Sequence, residues 1–422
     1  MALSTTPLVE TSLSAVSPAL PRAGARLVVV TPTFAPEPLG TPLYAADTVR
    51  WLDAAGWDVE VVTSQPFYPR FERYDGYGRA TRRDVVDGVD VRRLPTVVPR
   101  GGRTRWRLAS DANFLVQGAT RASAGAIGRA PTVLSISPGT PVAAMVGASL
   151  RRRGGRHVCL VHDVQSGLAS GLGMVRDARL VSVIRSVERR ALELADEVLV
   201  LSEQMADVLA ALGVRKPVTV LPLWSTVTPP ATTPLTTTDL QFSGNFGRKQ
   251  GLDQLVPLLL ELRRRRPATT VTLRGAGPLR DTLQSELDDA GLDITIQDPV
   301  DDADLPAALR ASRVHLVPQL AGTGAHVVPS KIVNALAVGG AVLAMSAPGS
   351  PVARMASHCD AIRVVEPGDI AGAAAATCEL LDGRDPAALR RAAIEYAATH
   401  HDRHRLLHQL HDILVGDRPV RA

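Results

Sequence analysis

Residues 26–63, RLVVVTPTFAPEPLGTPLYAADTVRWLDAAGWDVEVVT, contain the pattern from which the fold is predicted. Arg26–Thr31 is a short apolar run closed by turn residues, which is typical of a buried strand. The spacing of apolar residues predicts a helix over Thr41–Ala55, ended by Gly56, and a second strand over Val59–Thr63. Because a strand, a helix and a strand at this spacing form a βαβ unit, we expect a parallel sheet covered by helices.

The alternation of strands and helices continues along the chain and is interrupted once. Residues 226–238 are rich in Pro and Thr and have neither a helical nor a strand period, which predicts a linker. We therefore predict the α/β class, with two doubly wound Rossmann-like domains facing across a cleft where ligands bind. Beyond the first unit, strands are predicted over Thr132–Ile136, His157–His162, Glu197–Leu201, Leu240–Ser243, Thr270–Arg274, Ile294–Gln297, Val314–Pro318 and Ala341–Met345.

The domain boundaries follow from the linker and from the two ends of the pattern. We predict a disordered tail over residues 1–24, a first domain over residues 25–225 and a second domain over residues 239–399. A helix over about residues 400–420 is predicted to pack back on the first domain.

The composition excludes several classes of protein. The 422 residues are 45% hydrophobic and 21% charged, which argues against a disordered, coiled-coil or collagen-like chain. No stretch offers the roughly 18 apolar residues that a membrane span needs, and the first 25 residues lack the pattern of a signal peptide. Three widely separated cysteines fit neither a disulfide framework nor a structural zinc site. We expect a soluble, cytoplasmic protein.

Basic charge is concentrated in the first domain. Residues 70–156 hold 17 arginines against 6 acids, and Pro99–Leu108 (PRGGRTRWRL) surrounds Trp106 with arginines. Such a segment attracts an anionic membrane surface or a polyanion, and a solvated arginine-rich surface is the alternative. We do not expect nucleic acid as a partner, because no nucleic-acid-binding motif accompanies the basic stretch.

Two segments of the first domain are candidates for chemistry at the cleft. In the loop after the first strand, Glu37 is a candidate base or hydroxyl ligand, and Gly40 lets a ligand approach the backbone before a helix. His162 and Asp163 close another strand, where the histidine can bond a hydroxyl or move a proton and Asp163 can set its tautomer. The alternatives are a surface carboxylate and a core histidine.

The second domain contains turns of the phosphate-binding type. One turn follows its first strand with Ser243, Gly244, Asn245, Arg248 and Lys249, and the next strand ends in Gly275 and Gly277. The Walker spacing is absent, and Arg280 interrupts the dinucleotide pattern, which argues against a nicotinamide enzyme.

A further turn of this type, before a helix, contains Gly324, Ser330 and Lys331. The chain has only three lysines, Lys216, Lys249 and Lys331, so the two at these turns indicate places that require a compact charge. Two such turns on one domain favour a nucleotide diphosphate as ligand.

The order of these motifs resembles the GT-B glycosyltransferases of family 4, and within them the bacterial exopolysaccharide (colanic-acid-type) fucosyltransferases. The segments that carry the resemblance are APEPLG, QPFYP, HD after a strand, SGNFGRKQG, RGAGP and PSKIVNALAVGG. The resemblance implies a nucleotide-sugar donor in the second domain and an acceptor in the first. It also implies retention of anomeric configuration by front-face attack, with no cofactor and no metal. Many relatives have an acidic pair at the donor; here the second position is Asn334, and the first falls near His326.

We therefore expect a retaining transferase that moves a sugar from a UDP- or GDP-linked donor to a glycan or lipid-linked acceptor. Its place would be the cytoplasm, peripherally on the inner face of the plasma membrane. The alternatives are a nucleotide-sugar epimerase of the same architecture, which would change its donor without an acceptor, and a non-catalytic partner in glycan assembly.

Overall fold

The first βαβ unit is present in the computed structural model, which describes residues 24–38, 40–99, 104–137, 141–167, 177–228, 237–247 and 250–416. Strand β1 spans Arg26–Val30, helix α1 spans Thr41–Ala54 and strand β2 spans Asp58–Ser64. The two strands are parallel, with Val28 opposite Glu60. Gly56 follows the helix at a φ of 94°, a left-handed conformation that glycine adopts without strain.

Besides β1 and β2, the first sheet contains β3 Arg82–Val86, β4 Val89–Leu94, β5 Ala130–Ser137, β6 Arg151–Val161, β7 Glu197–Val200 and β8 Val218–Val220. Within the described residues these eight strands lie in the order β3-β4-β2-β1-β5-β6-β7-β8. Neighbouring strands are parallel there, except for the antiparallel pair of β3 and β4. That pair turns at Asp87 and Gly88, both at positive φ, as a tight hairpin requires.

Helices cover this sheet and pack closely on one another. Besides α1, the described part of this half contains α2 Thr104–Ser123, α3 Val142–Leu150, α4 Ala178–Leu192 and α5 Glu203–Leu212. Helices α2 and α3 meet at Gly118, where a Cβ atom would lie 2.7 Å from a methyl group of Val146. Helix α3 also packs against α4, so α2, α3 and α4 form a row.

Within the described residues the second sheet has five parallel strands, β9 Thr238–Asn245, β10 Val271–Ala276, β11 Ser312–Pro318, β12 Ala341–Met345 and β13 Ile362–Val365. Their order in the sheet is β10-β9-β11-β12-β13. The strand predicted over Ile294–Gln297 is wrong. Gln297 pairs with β10 at one position only, because the Gln284 side chain binds the amide of Ile296 and the carbonyl of Ile294 in place of a neighbouring strand.

The final helix that the structure describes lies against the first domain. In the last described helix, Arg403 contacts the Asp47 carboxylate of α1 at 2.8 Å, and the indole nitrogen of Trp57 donates to His411 at 3.1 Å. The helices of the second half are α6 Leu255–Arg265, α7 Arg280–Asp289, α8 Leu305–Arg310, α9 Ser330–Ala337, α10 Pro351–Ala356, α11 Ile370–Asp382, α12 Pro386–His400 and α13 Arg403–Val415.

One apolar cluster crosses from the first sheet to the second. It includes Val29 of β1, Trp224 between the sheets, Leu336 of α9 and Leu410 of α13, all of them buried. Because burial of apolar surface stabilises whatever arrangement contains it, this cluster holds the two sheets and α13 together. Among the described helices, none is both long enough and apolar enough to cross a membrane.

Candidate functional site

The loops at the carboxyl ends of the two sheets touch. Asp163, after β6, pairs with Val327 as an isolated antiparallel bridge, and the amide of Val164 donates to the carbonyl of His326 at 3.1 Å. On the other side, the amide nitrogen of the Asn245 side chain donates to the Tyr68 hydroxyl at 2.5 Å. The two domains are therefore in direct contact at both edges of the predicted cleft, through backbone groups on one side and through side chains on the other.

Glu37 is buried in the loop that follows β1. Its carboxylate accepts backbone N–H groups from Phe34, Phe67 and Tyr68 at 2.7–3.1 Å, which fixes the QPFYP segment against that loop. Burial raises the pKa of Glu37 to about 7, although these amides act in the opposite direction. The contacts make Glu37 a positioning residue for the first domain's loops, and its role as a base stays a prediction.

Tyr68 is a site residue whose role sequence reasoning missed. The QPFYP segment suggests an apolar or sugar-stacking wall, whereas the Tyr68 hydroxyl is hydrogen bonded to Asn245 of the other domain. Burial raises the pKa of Tyr68 to about 12, so the phenol stays protonated. Its partner lies 177 positions away in sequence, and no local pattern could have indicated the pair.

His162 lies at the start of α1, where a ligand of the first domain would approach. Its Nδ1 is 3.3 Å from the Thr41 hydroxyl, and the Tyr44 ring meets the imidazole edge-on at 6.0 Å between ring centres. Gly40 precedes the helix at a φ of 73° and leaves open space where a Cβ atom would be. The sequence did not indicate Thr41 and Tyr44 as neighbours of His162, because only the fold brings α1 to the end of β6. The predicted roles of His162 and Asp163 stay predictions.

Glycines let the ends of β9 and β10 approach closely. A Cβ atom on Gly275 would lie 1.8 Å from the carbonyl oxygen of Gly244. One on Gly277 would lie 2.5 Å from the side-chain oxygen of Asn245, and both glycines have φ near 150°. In the structure these two glycines allow the ends of β9 and β10 to approach closely. Phosphate binding by the turn stays a prediction. Ser243 is half-buried in β9, while Arg248 and Lys249 lie outside the described residues.

Lys331, the second residue of α9, points its ammonium group at the end of β9. Its Nζ lies 3.9 Å from the centre of the Phe242 ring and would lie 3.3 Å from a Cβ atom on Gly244. The nitrogen is buried and has no hydrogen-bond partner within the described part of the chain. Burial lowers the pKa of Lys331 to about 7. An ammonium without a partner is unfavourable in a protein interior, so the arrangement favours an anionic ligand at this place.

The remaining predicted residues surround α9. Gly324 begins a single 3₁₀ turn, Gly324–His326, and packs against Ser350. Ser330 is the first residue of α9 and is half-buried. The Asn334 side chain accepts the amide of Thr226 at 3.0 Å and donates to its hydroxyl at 3.0 Å, so it binds the interdomain segment. Contact between Asn334 and a nucleotide-sugar donor stays a prediction.

His326 adds a second unpartnered nitrogen beside α9. Its Nδ1 is buried and makes no hydrogen bond to any described residue, and burial lowers the pKa of the imidazole. The ring lies against Gly167, where a Cβ atom would approach it to 2.2 Å. A neutral imidazole at this position can donate or accept one hydrogen bond to a ligand.

Both halves of the chain match families of glycosyl transferases. Residues 39–224 match the family described as Glycosyl transferase 4-like domain, and residues 237–383 match Glycosyl transferases group 1. A relative from Escherichia coli (strain K12), named as the colanic acid biosynthesis glycosyl transferase WcaI, is 26% identical over 334 residues. That alignment covers 75% of this chain and 82% of the relative.

Solved structures share the whole architecture. Sucrose-phosphate synthase of Thermosynechococcus elongatus has a TM-score of 0.70 at 18% identity, covering 93% of this chain and 98% of that one. Anabaena Alr3699/HepE in complex with UDP-glucose has a TM-score of 0.65 at 15% identity, covering 93% and 100%. At these identities the likeness shows the fold, and it confirms the prediction of two Rossmann-like domains.

Proposed function

The chain belongs to the GT-B glycosyltransferases of family 4, and we propose that it is a retaining enzyme of cell-surface glycan or exopolysaccharide synthesis. Its donor is a nucleotide diphosphate sugar, linked to UDP or GDP, and its acceptor is a glycan or a lipid-linked sugar. The name of the Escherichia coli relative supports the pathway class, since it refers to colanic acid biosynthesis. A solved relative in complex with UDP-glucose supports the class of donor.

The single observation that carries the proposal is the ammonium group of Lys331. It is buried, it has no hydrogen-bond partner among the described residues, and it lies at the amino end of α9 beside the end of β9. The diphosphate of a nucleotide sugar supplies the negative charge that this place lacks, and the amino end of a helix attracts the same charge.

The chemistry follows from where the charge develops. In front-face attack the bond between the anomeric carbon and the phosphate oxygen breaks, and the acceptor oxygen bonds to that carbon on the same face. The acceptor's proton passes to the departing phosphate oxygen, so no protein base is required. Lys331 stabilises the negative charge that grows on the leaving diphosphate, in place of a metal ion. In this proposal, His162 and His326 bind hydroxyl groups of the donor sugar.

A transfer assay with defined sugars tests the proposal. UDP- and GDP-linked sugars are incubated with the protein, with and without glycan acceptors, and the anomeric configuration of any product is determined by NMR. We expect a product that keeps the donor's configuration and that forms only when an acceptor is present. An inverted product would overturn the retaining mechanism. Epimerised donor in the absence of acceptor would favour the epimerase.

A further inference from the structure

Helix α4 leaves a large apolar face in contact with solvent. Leu180, Val183 and Val187 are 50%, 56% and 44% exposed. Their spacing of three and then four residues places them on one face of the helix. Another side of α4 is turned to the protein, where Glu188 and Leu192 are buried. Three adjacent branched side chains in water indicate a surface that binds something.

The charges on α4 define the partner. The helix has four arginines and one acid, Glu188, and that acid is buried. Arg179 and Arg190 are exposed and lie next to the apolar face at 100° per residue. A helix with an apolar face bordered by arginines is typical of proteins that lie on anionic lipid. A second copy of this chain fits less well, because a symmetric contact would bring the arginines of both copies together.

Helix α4 is joined to the cleft by hydrogen bonds. The Glu188 carboxylate accepts the backbone amides of Gln165 at 2.7 Å and Ser166 at 3.0 Å, two and three residues after Asp163. Anything that holds α4 therefore also holds this edge of the cleft. Helix α3 packs between α4 and α2, and α2 carries the exposed Leu108 and Val116.

We propose that the exposed face of α4 docks the protein on the surface of an anionic lipid bilayer. This inference rests on the proposed function, since a lipid-linked acceptor gives the docking its purpose. The sequence predicts a membrane contact at Pro99–Leu108, where residues 100–103 lie outside the described part of the chain. That contact stays a prediction, and the face of α4 is proposed in addition to it. Leu180, Val183 and Val187 enter the interface between headgroups and acyl chains, while Arg179 and Arg190 bind the headgroups.

Vesicle binding tests the docking face without any sugar donor. The full chain is sedimented with vesicles of phosphatidylcholine alone or mixed with phosphatidylglycerol. We expect binding to the anionic vesicles only, weakened by salt. The double variant Leu180→Ser, Val183→Ser should lower the partition coefficient roughly tenfold. The variant Arg179→Gln, Arg190→Gln should lower it about fivefold for each charge.

Matched variants of the second domain serve as controls. Leu260→Ser with Ile394→Ser removes apolar side chains that are 38% and 37% exposed. Arg264→Gln with Arg391→Gln removes two arginines whose side chains are 75% and 71% exposed. Both controls should bind anionic vesicles as the parent does. Thermal unfolding of every variant shows whether a loss of binding comes from misfolding, and the arginine variant leaves the apolar face intact.

Three results would overturn the docking proposal: equal binding by the parent and both α4 variants, no binding of the parent to anionic vesicles, or a parent dimer that Leu180→Ser, Val183→Ser dissociates in sedimentation velocity. The last would assign the face to a second copy.

Transfer to a water-soluble acceptor separates failure of the docking proposal from failure of the proposed function. The α4 variants should retain that activity, and its absence in the parent would contradict the transferase while leaving the vesicle result in place.

Discussion

The ammonium nitrogen of Lys331 lies 3.9 Å from the centre of the Phe242 ring. Phe242 belongs to β9, and Lys331 is the second residue of α9, so a cation is held against an aromatic face where these elements meet. Contact with an aromatic ring stabilises an ammonium group only in part. Burial still lowers the pKa of Lys331 to about 7, which leaves it half protonated near neutral pH.

We predict that the affinity for a nucleotide diphosphate sugar falls as the pH rises above 7. In the proposed complex the anionic donor binds the protonated form of Lys331, which becomes the minor form of the free protein as the pH rises above 7. Binding must then take up a proton, so the dissociation constant should rise by up to about tenfold per pH unit. Calorimetric titrations between pH 6 and 9, in buffers of different ionisation enthalpy, measure the dissociation constant and the number of protons taken up on binding. In Lys331→Met the slope should vanish, and the same slope in this variant would assign the proton to another group.

A second prediction concerns Glu37, whose pKa is raised from 4.5 to about 7 by burial. A carboxyl group with a raised pKa in the folded state contributes stability that is fully present below pH 4.5 and is lost as the pH rises through 7. Relative to Glu37→Gln, the free energy of unfolding of the parent should therefore decline by roughly 3 kcal/mol between pH 4 and pH 8. Urea unfolding of both proteins across this range measures the difference. Parallel pH profiles would show that the carboxylate is fully stabilised by its three backbone donors.

A third prediction is that Gly275→Ala destabilises the second domain. The new methyl group would lie 1.8 Å from the carbonyl oxygen of Gly244, so the ends of β9 and β10 would have to separate. We expect a loss of about 3 kcal/mol in the free energy of unfolding, from overpacking together with an unfavourable φ.

Gly291→Ala is the matched control for this change. Gly291 also has a positive φ, of 63°, but nothing lies within 4 Å of its Cβ position. We expect it to lose about 1 kcal/mol, the usual effect of a left-handed conformation on alanine. Thermal unfolding separates the two variants, and an equal loss in both would mean that the close contact adds nothing.

We also predict that transfer does not require a divalent ion. Lys331 lies at the amino end of α9, and under the proposed mechanism the two supply positive charge to the leaving diphosphate. Activity should persist in protein treated with a chelator and assayed in its presence. Loss of activity that magnesium or manganese restores would show that a metal ion stabilises the leaving group.

The fold was predictable wherever local patterns are strong. The apolar run of β1 and the glycine after α1 were sufficient to predict the first unit, and the predicted helix ends one residue after the observed one. Helix α2 was not predicted, because its buried face consists of Ser110, Phe114, Gly118 and Ala122, which give little hydrophobic signal. The strand over Ile294–Gln297 failed for a different reason, since a glutamine side chain satisfies its backbone.

The candidate site was predictable in its parts and not in its contacts. The scarcity of lysine indicated Lys331, and the positions of turns indicated His162 and Gly244. The pairs that build the cleft join residues far apart in the chain, as Tyr68 with Asn245, and these depend on how the two sheets face each other. Burial, which changes the pKa of Glu37 and of Lys331, is a property of the packed structure alone.

The most direct test of the account is the affinity of Lys331 variants for a nucleotide diphosphate. Whichever of UDP and GDP raises the melting temperature of the parent is titrated calorimetrically at pH 7 into the parent, Lys331→Ala and Lys216→Ala. Lys216 precedes β8, at the opposite end of the first sheet from the cleft. The substitution Lys216→Ala therefore removes a lysine without changing the candidate site. We predict a loss of about 1.5–3 kcal/mol in binding free energy for Lys331→Ala, and none for Lys216→Ala. Equal affinity in all three proteins would contradict it.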